Sequence, residues 1–312
     1  MDPNERIQAA CDFLLQSPPG EINDVLSGQS QLVQHEPRSQ LESGLDVRNI
    51  ISDDNLLQEG IVPALKKYNL AQFIAVDVPE TNHQSIISEA ARWPTEPEEG
   101  GGQDRWIDPR SKKSFVFDHL ALEASDPRPF EPNEEFEPFR TALEKASLNY
   151  LLAHYHDGVT SVFSSQPTPN QFILQIVANK YNPTNFWSGR WRSEYIIDLN
   201  DHSVKGSMLV HVHYYEQGNV QLSTAHSVSM TLPSAIVTAS PENAGTKILA
   251  LIEAEEGKYQ ITLNDTYSEM SEKTFKTLRR ALPMTRTKLD WDKVLGYKLG
   301  AELSSSKGTY TS

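Results

Sequence analysis

The sequence predicts an α+β fold, because helical and strand-like hydrophobic spacings occupy separate stretches of the chain. Apolar residues recur every three or four positions over the first seventy residues and again beyond Pro233, whereas residues 158–232 show strand-like spacing. The predicted regions are an N-terminal helical region (1–70), extended segments with an acidic loop (94–102) and a helix (71–157), an antiparallel β-meander (158–232), a long helix followed by a basic helix (233–282), and a C-terminal arm with a flexible tail (283–312).

Three short helices are predicted in the N-terminal region. Apolar residues keep helical spacing from Ile7 to Leu14, and a second set spans residues 22–26. The polar stretch 34–49 reads as a loop, and residues 52–55 (SDDN) offer N-caps for a third helix. Pro63 is expected to kink or divide that helix. Three consecutive short helices favour an up-and-down bundle.

The spacing changes to two from Phe73 onward, which predicts extended segments at 73–78 and 114–117. The acidic, Pro/Gly-rich stretch 94–102 has little to bury and predicts a mobile surface loop. A helix is then predicted from apolar residues between Phe139 and Tyr150.

The meander is predicted as five short strands, and the Gly218-Asn219 turn marks its last hairpin. The predicted strands are 159–163, 172–178, 194–199, 208–215 and 220–222.

Residues 240–242 (SPE) supply an N-cap, a proline and an acid, and they predict the start of a long amphipathic helix that lies across the sheet. A second helix, capped by Ser271 and ended by Pro283, places basic residues along one edge. A final helix is predicted over residues 289–303. Its two glycines make it only marginally stable as an isolated helix in water, so it is expected to pack against a partner.

Charge is distributed unevenly along the chain. Its 28 Lys and Arg against 42 Asp and Glu give a net charge of −14, which disfavours binding of nucleic acid or anionic lipid by the molecule as a whole. Residues 273–300 nevertheless carry eight basic and two acidic side chains. The alternatives are a solvated basic helix and a basic arm that meets an acidic partner.

The chain offers little sign of export or disulfide chemistry. Cys11 is the single cysteine, which excludes an intrachain disulfide and an ordinary Cys-based zinc site. Residues 1–6 lack the features of a secretory signal, and no apolar run has the length of a membrane span. A soluble, intracellular protein without a transmembrane segment is expected.

Several residue clusters contain side chains of the types found in binding or catalytic sites. His211 and His213 share one strand face, but without a third ligand they favour packing and hydrogen bonding over metal binding. Residues 185–192 (NFWSGRWR) are expected to join two strands and to form either a stacking platform or a buried plug, the latter being favoured. The segments 108–110 and 125–128 read as turns, and Glu255-Glu256 as part of an exposed helix face. The sequence lacks the common catalytic motifs, so neither an enzyme nor a cofactor is predicted.

Six segments, spread in order over nearly the whole chain, resemble the α subunit of F-actin capping protein. They are 18–21 (PPGE), 53–57 (DDNLL), 117–120 (FDHL), 185–194 (NFWSGRWRSE), 211–220 (HVHYYEQGNV) and 275–283 (FKTLRRALP). Local departures, including Gln217, Thr277 and the Ser/Thr-rich tail after Leu303, indicate a fungal or other non-animal member.

The resemblance implies an obligate heterodimer with a homologous β subunit, in which each chain supplies a helical stalk, half of one continuous sheet, a long helix and a C-terminal amphipathic basic tentacle. The family caps actin-filament barbed ends without calcium. Its main basic contacts carry over to Lys276, Arg280 and Arg286. The charge pattern and the apolar stripe, rather than the resemblance, add Arg279, Lys288, Trp291, Leu295 and Leu299 as actin-binding candidates.

The same basic patch has a second implied ligand. Lys276 and Arg280 are candidates for binding phosphoinositide headgroups, and capping-protein regulators are further implied partners. The alternative function is therefore a phosphoinositide-regulated cortical adaptor whose arm binds anionic membrane. Cytoplasmic, cytoskeletal localisation is expected in either case.

Overall fold

The computed structural model describes residues 55–93, 104–155, 157–182, 187–214 and 220–269. The chain divides into two compact units, Met1–Glu256 and Gly257–Ser312. The first contains mixed helices and antiparallel sheets, as the sequence predicts. The described part of the second, residues 257–269, is helical.

Helix α1 (Asn55–Ala71) runs without interruption through Pro63. The expected division of this helix is therefore wrong. Ile61, Leu65 and Tyr68 are buried on both sides of the proline at helical spacing. Their packing holds the two turns in one helix, because tertiary contacts outweigh the hydrogen bond that a proline removes.

Two small antiparallel sheets follow α1 along the chain. The first pairs β1 (Ile74–Asp77) with β2 (Gln84–Ile87), and a 3₁₀ turn over Glu89–Ala91 leads into the second. The four strands of the second sheet, in spatial order, are β3 (Arg92–Trp93), β4 (Arg105–Asp108), β5 (Lys113–Asp118) and β6 (Glu123–Pro129).

The small sheets share one hydrophobic core, in which Trp106, Phe115 and Phe163 are almost fully buried. The predicted turn at residues 125–128 is wrong, because these residues belong to strand β6. Only Asp126 among them has a positive φ, of 48°, which lies in the left-handed region. The aspartate accepts a hydrogen bond from Arg105 at 2.8 Å, which fixes this residue at the sheet edge.

A five-stranded antiparallel meander forms the main sheet, in the spatial order β11-β10-β9-β8-β7. Its strands are β7 (Val159–Ser164), β8 (Gln171–Asn182), β9 (Trp187–Asp198), β10 (Ser203–Tyr214) and β11 (Val220–Thr231). All five predicted strands exist, but the last four each have twelve residues and are longer than predicted. Residues 187–192, which were expected to join two strands, form the first half of β9.

Three helices, α2 (Glu137–His154), α3 (Ser234–Val237) and α4 (Pro241–Glu269), complete the described fold. Within the first unit, α2 and α4 cover one face of the main sheet, which we call the helix face. Phe139 of α2 stacks on Phe172 of β8, with ring centroids 4.7 Å apart. A Cβ atom at Gly245 of α4 would lie 3.2 Å from the carbonyl oxygen of Ala142, so glycine permits the close approach of the two helices.

Candidate functional site

The residues predicted to bind actin or phosphoinositide lie outside the described residues. They are Lys276, Arg279, Arg280, Arg286, Lys288, Trp291, Leu295 and Leu299. Those assignments stay predictions. Residues 1–54 and the acidic loop 94–102 also lie outside the described part of the chain. The described part shows instead how the two edges of the main sheet differ and how α4 is held on that sheet.

Strand β11 is an edge of the main sheet and pairs only with β10 among the described strands. The backbone N–H of Leu232 donates to the carbonyl of His202 at 2.7 Å, just beyond the last paired residues. Antiparallel strands alternate residues that bond the neighbouring strand with residues that point away from it. The N–H and C=O groups of Ser223, Ala225, Ser227 and Ser229 therefore point outward from β11.

The side chains of β11 suit close approach by another chain. Along the middle of the strand, the four residues Ser223, Ala225, Ser227 and Ser229 carry only hydroxymethyl or methyl side chains, and all four are exposed. On the helix face, Leu222, Val228 and Met230 are only half-buried. The strand contains no proline and no Lys, Arg, Asp or Glu, the residues that commonly protect exposed edges.

Strand β7, at the other edge of the sheet, is closed by two arginine side chains. Arg110 Nη2 donates to the carbonyl of Thr160 at 2.8 Å, and Arg140 Nη1 lies 3.4 Å from the carbonyl of Val162. The backbone N–H of Ser165 donates to the carbonyl of Gln171, which shows which residues of β7 bond to β8. Since bonded and outward residues alternate, the backbone groups of Thr160 and Val162 point away from β8. Both residues are almost completely buried.

The buried carboxylate of Glu144 and the half-buried carboxylate of Glu137 hold these arginines in place. Glu144 accepts from Arg110 Nε at 3.1 Å and from Arg140 Nη1 at 2.8 Å. Glu137 accepts from Arg140 Nε at 2.8 Å. Burial opposes the charge of Arg140, but its bonds to Glu137 and its pairing with Glu144 raise the pKa of Arg140 above the ordinary arginine value.

Glu256 anchors α4 on the helix face. Its carboxylate accepts hydrogen bonds from Tyr195 (2.6 Å) and Ser193 (3.2 Å) of β9, and from Tyr150 and Tyr155 at the end of α2 (2.5 Å each). The predicted exposure of Glu255-Glu256 is wrong for Glu256, because only 1% of that residue is exposed.

The tyrosines of this cluster are held in the protonated form that can donate to Glu256. Burial and the negative charge of Glu256 raise the pKa of Tyr150, Tyr155 and Tyr195 well above the ordinary tyrosine value. The cluster therefore joins α2, β9 and α4 through a single carboxylate. We call it the Glu256 cluster.

The first half of β9 separates its aromatic residues from its arginines. Trp191 lies on the helix face, 6.0 Å from the ring of Tyr155, whereas Arg192 lies on the opposite face. Arg192 is 4% exposed and donates to the backbone carbonyls of Gln72 (2.6 Å), Trp191 (2.8 Å) and Ala178 (3.2 Å). Trp187 and Trp191 are only half-buried, so within the described part of this segment burial of the kind that the plug interpretation predicts is found at Arg192 and not at the tryptophans.

Arg192 and His211 lie on the opposite face of the main sheet, and the pKa of each is lowered. Burial and the nearby Arg190 lower the pKa of Arg192 to about 9. His211 Nε2 lies 3.4 Å from the hydroxyl of Ser223, and burial with the charges of Arg190 and Arg192 lowers the pKa of His211. Among the described residues, no group of three or more His, Cys, Asp or Glu side chains has the arrangement needed to hold a metal ion.

The sequence profile of the family described as F-actin capping protein alpha subunit matches residues 29–302 of the chain. The chain belongs to this family. The family predicted from the six sequence segments is thereby confirmed.

Relatives with the name F-actin-capping protein subunit alpha occur in fungi and in an animal. The Neurospora crassa protein is 37% identical over 294 residues, covering 93% of this chain and 94% of the relative. The Gibberella zeae protein is 35% identical over 303 residues, covering 96% and 97%. The Caenorhabditis elegans protein is 33% identical over 305 residues, covering 96% and 97%.

A solved structure, that of the homodimeric actin capping protein alpha subunit from Plasmodium berghei, matches with a TM-score of 0.65. The match covers 91% of this chain and 99% of that chain at 20% sequence identity, so it supports the capping-protein alpha fold. Among the described helices, none is both long enough and apolar enough to span a membrane.

Proposed function

We propose that this protein is the α subunit of a heterodimeric protein that caps the barbed ends of actin filaments and blocks subunit addition and loss without calcium. Family membership supports the capping function. The observation that supports the heterodimer is the outward-facing edge of β11, because a twelve-residue strand that pairs only with β10 among the described strands is suited to pairing with another chain.

The proposed partner is a homologous β subunit that adds an antiparallel strand to β11. The serine and alanine side chains beside the outward backbone groups leave room for that strand to approach. On the helix face, the half-buried Leu222, Val228 and Met230 offer apolar surface to a helix of the partner. One continuous sheet shared by two chains results. The chain expressed alone is expected to be poorly soluble because this edge stays open.

The basic tentacle is the proposed actin contact. Lys276, Arg280 and Arg286 carry the family resemblance, and Arg279 and Lys288 add charge beside them. Basic residues speed encounter with acidic actin, and those that become desolvated in the complex slow its release. Trp291, Leu295 and Leu299 supply the apolar stripe. A second tentacle from the β subunit raises avidity, because its binding becomes intramolecular.

A second proposed ligand of Lys276 and Arg280 is a phosphoinositide headgroup, which competes with actin for the same charges. The local concentration of basic residues in an otherwise acidic chain favours this candidate. The protein then acts at the cortical actin cytoskeleton under the control of lipids and capping-protein regulators. The alternative function, a membrane adaptor with incidental actin binding, predicts vesicle flotation at physiological salt together with weak barbed-end binding.

Charge reversal tests the capping proposal. The complex with Lys276→Glu and Arg280→Glu is compared with wild type in seeded elongation of pyrene-labelled actin. Because disrupting a desolvated charge pair costs about 2 kcal/mol or more, half-maximal inhibition is expected to need at least about 30-fold more complex. The heterodimer itself should still form.

The matched control carries Lys67→Glu and Lys112→Glu, which change the net charge by the same amount at two exposed sites. This control should cap at the wild-type concentration. Inhibition by the Lys276 and Arg280 variant at the wild-type concentration would contradict the assigned role of the tentacle.

A further inference from the structure

The two edge strands of the main sheet, β7 and β11, differ in whether side chains occupy their outward backbone groups. This difference determines at how many edges another strand can be added. Strand β7 has the sequence VTSVFS, which contains no charge and no proline. Such a strand has high β propensity and carries none of the intrinsic features that block pairing at an edge. Its protection against pairing therefore comes from other elements of the fold.

Helix α2 and strand β2 pack against β7, and Arg110 and Arg140 occupy the hydrogen-bonding groups of its edge. Their guanidinium groups lie 2.8 Å and 3.4 Å from the outward carbonyls of Thr160 and Val162, which an added strand would need as acceptors. We infer that these arginines close the β7 edge, so that strand addition is confined to β11 and assembly ends at two chains. The inference rests on the proposed pairing at β11.

Displacing the two arginines from this edge is unfavourable. Glu144 bonds both guanidinium groups, at 3.1 Å from Arg110 Nε and 2.8 Å from Arg140 Nη1, and Glu137 bonds Arg140 as well. The side chains of Arg140 and Glu144 are only 4% and 8% exposed. A strand that pushed the arginines aside would leave the buried carboxylate of Glu144 without its cations, which is strongly destabilising.

The placement of these residues explains how one network reaches two successive outward carbonyls of this edge. Arg110 follows β4 in the turn that leads to β5, and Arg140 lies in the first half of α2. They reach β7 from two different elements and contact carbonyls two residues apart, which is the spacing of the outward groups along an edge. The described part of β11 has no comparable ion-paired arginine over its outward carbonyls.

The test uses the full chain co-expressed with its β subunit and measures particle mass as a function of concentration by sedimentation velocity. Arg110→Met removes the bond to Thr160 while Arg140 still pairs with Glu144. A concentration-dependent species of twice the heterodimer mass, joined through β7, is expected. Wild type and the control Arg128→Met, which removes an exposed arginine on β6, should remain single heterodimers.

Two further variants separate the possible outcomes. Arg110→Lys keeps a cation near Glu144 but cannot bridge to Thr160, and it should also self-associate, which keeps the test decisive if Arg110→Met does not fold. Ser227→Pro removes an outward N–H from β11 and should reduce heterodimer formation, unlike Ser227→Ala. An undiminished heterodimer with Ser227→Pro would refute the β11 pairing alone. A folded Arg110 variant that stays at the heterodimer mass at every concentration would overturn the closure of β7.

Discussion

Replacing Tyr195 by phenylalanine tests whether the Glu256 cluster stabilises the fold. The change removes the hydroxyl that donates to Glu256 Oε1 at 2.6 Å and keeps the ring. Ser193, at 3.2 Å, remains as the other donor to that oxygen. Because a hydrogen bond to a charged group contributes about 1.5–3 kcal/mol, we expect the free energy of unfolding to fall by about 2 kcal/mol.

Urea denaturation of the co-expressed complex, at one fixed protein concentration, measures this loss. Tyr267→Phe is the control, because Tyr267 lies on the same helix but is 39% exposed, and its change should stay within about 0.5 kcal/mol. A double-mutant cycle with Glu256→Gln should give a coupling energy of about 1 kcal/mol or more. Equal small costs of Tyr195→Phe in both backgrounds would show that the bond contributes nothing to stability.

Two other predictions concern buried positions. Burial lowers the pKa of His119 to about 4, so the unfolded chain binds a proton below about pH 6.5 while the folded chain does not. Stability should therefore fall by about 2 kcal/mol between about pH 6.5 and about pH 5, and His119→Gln should remove that part of the pH dependence in urea titrations. Gly206→Ala would place a Cβ atom 2.5 Å from the ring of Tyr195 and should lower the urea midpoint by the equivalent of about 1–3 kcal/mol. Gly189→Ala, whose Cβ would meet only the Lys180 carbonyl at 3.9 Å, should leave the midpoint nearly unchanged, and equal effects of the two glycine changes would contradict the packing argument.

The sequence predicts which elements exist better than it predicts where the strands end. Periodicity alone identifies the five strands of the main sheet and the helices α2 and α4, because each has a regular apolar side. Strand β11 was expected to stop at Leu222 but continues to Thr231. Beyond Leu222 it is rich in serine and threonine and has little apolar alternation, and its pairing with β10 along twelve residues keeps it extended.

Local sequence spacing does not identify residues 187–192 as a strand, because the residues that pack against its two faces come from distant parts of the chain. Trp191 packs near Tyr155 at the end of α2. Arg192 donates to the carbonyl of Gln72, which is 120 positions away in the sequence. A single sequence window contains neither partner. The acceptors of Arg192 are backbone carbonyls rather than the nearby Glu194, so neither its burial nor its partners can be read from the neighbouring residues of the sequence.

The burial of Glu256 could be predicted from its position in the sequence, but its hydrogen-bond donors could not. Ile248, Ile252, Glu256 and Tyr259 are spaced by four, four and three positions, so the carboxylate falls on the apolar stripe of α4. That spacing was enough to predict burial, but the tyrosine donors lie 61 to 106 positions away and only the fold brings them together. An apolar stripe alone leaves a helix able to shift along a sheet by one turn at modest cost. A buried carboxylate with four hydroxyl donors does not, because any shift would leave the charge unsatisfied. The Glu256 cluster therefore fixes the register of α4 on β9.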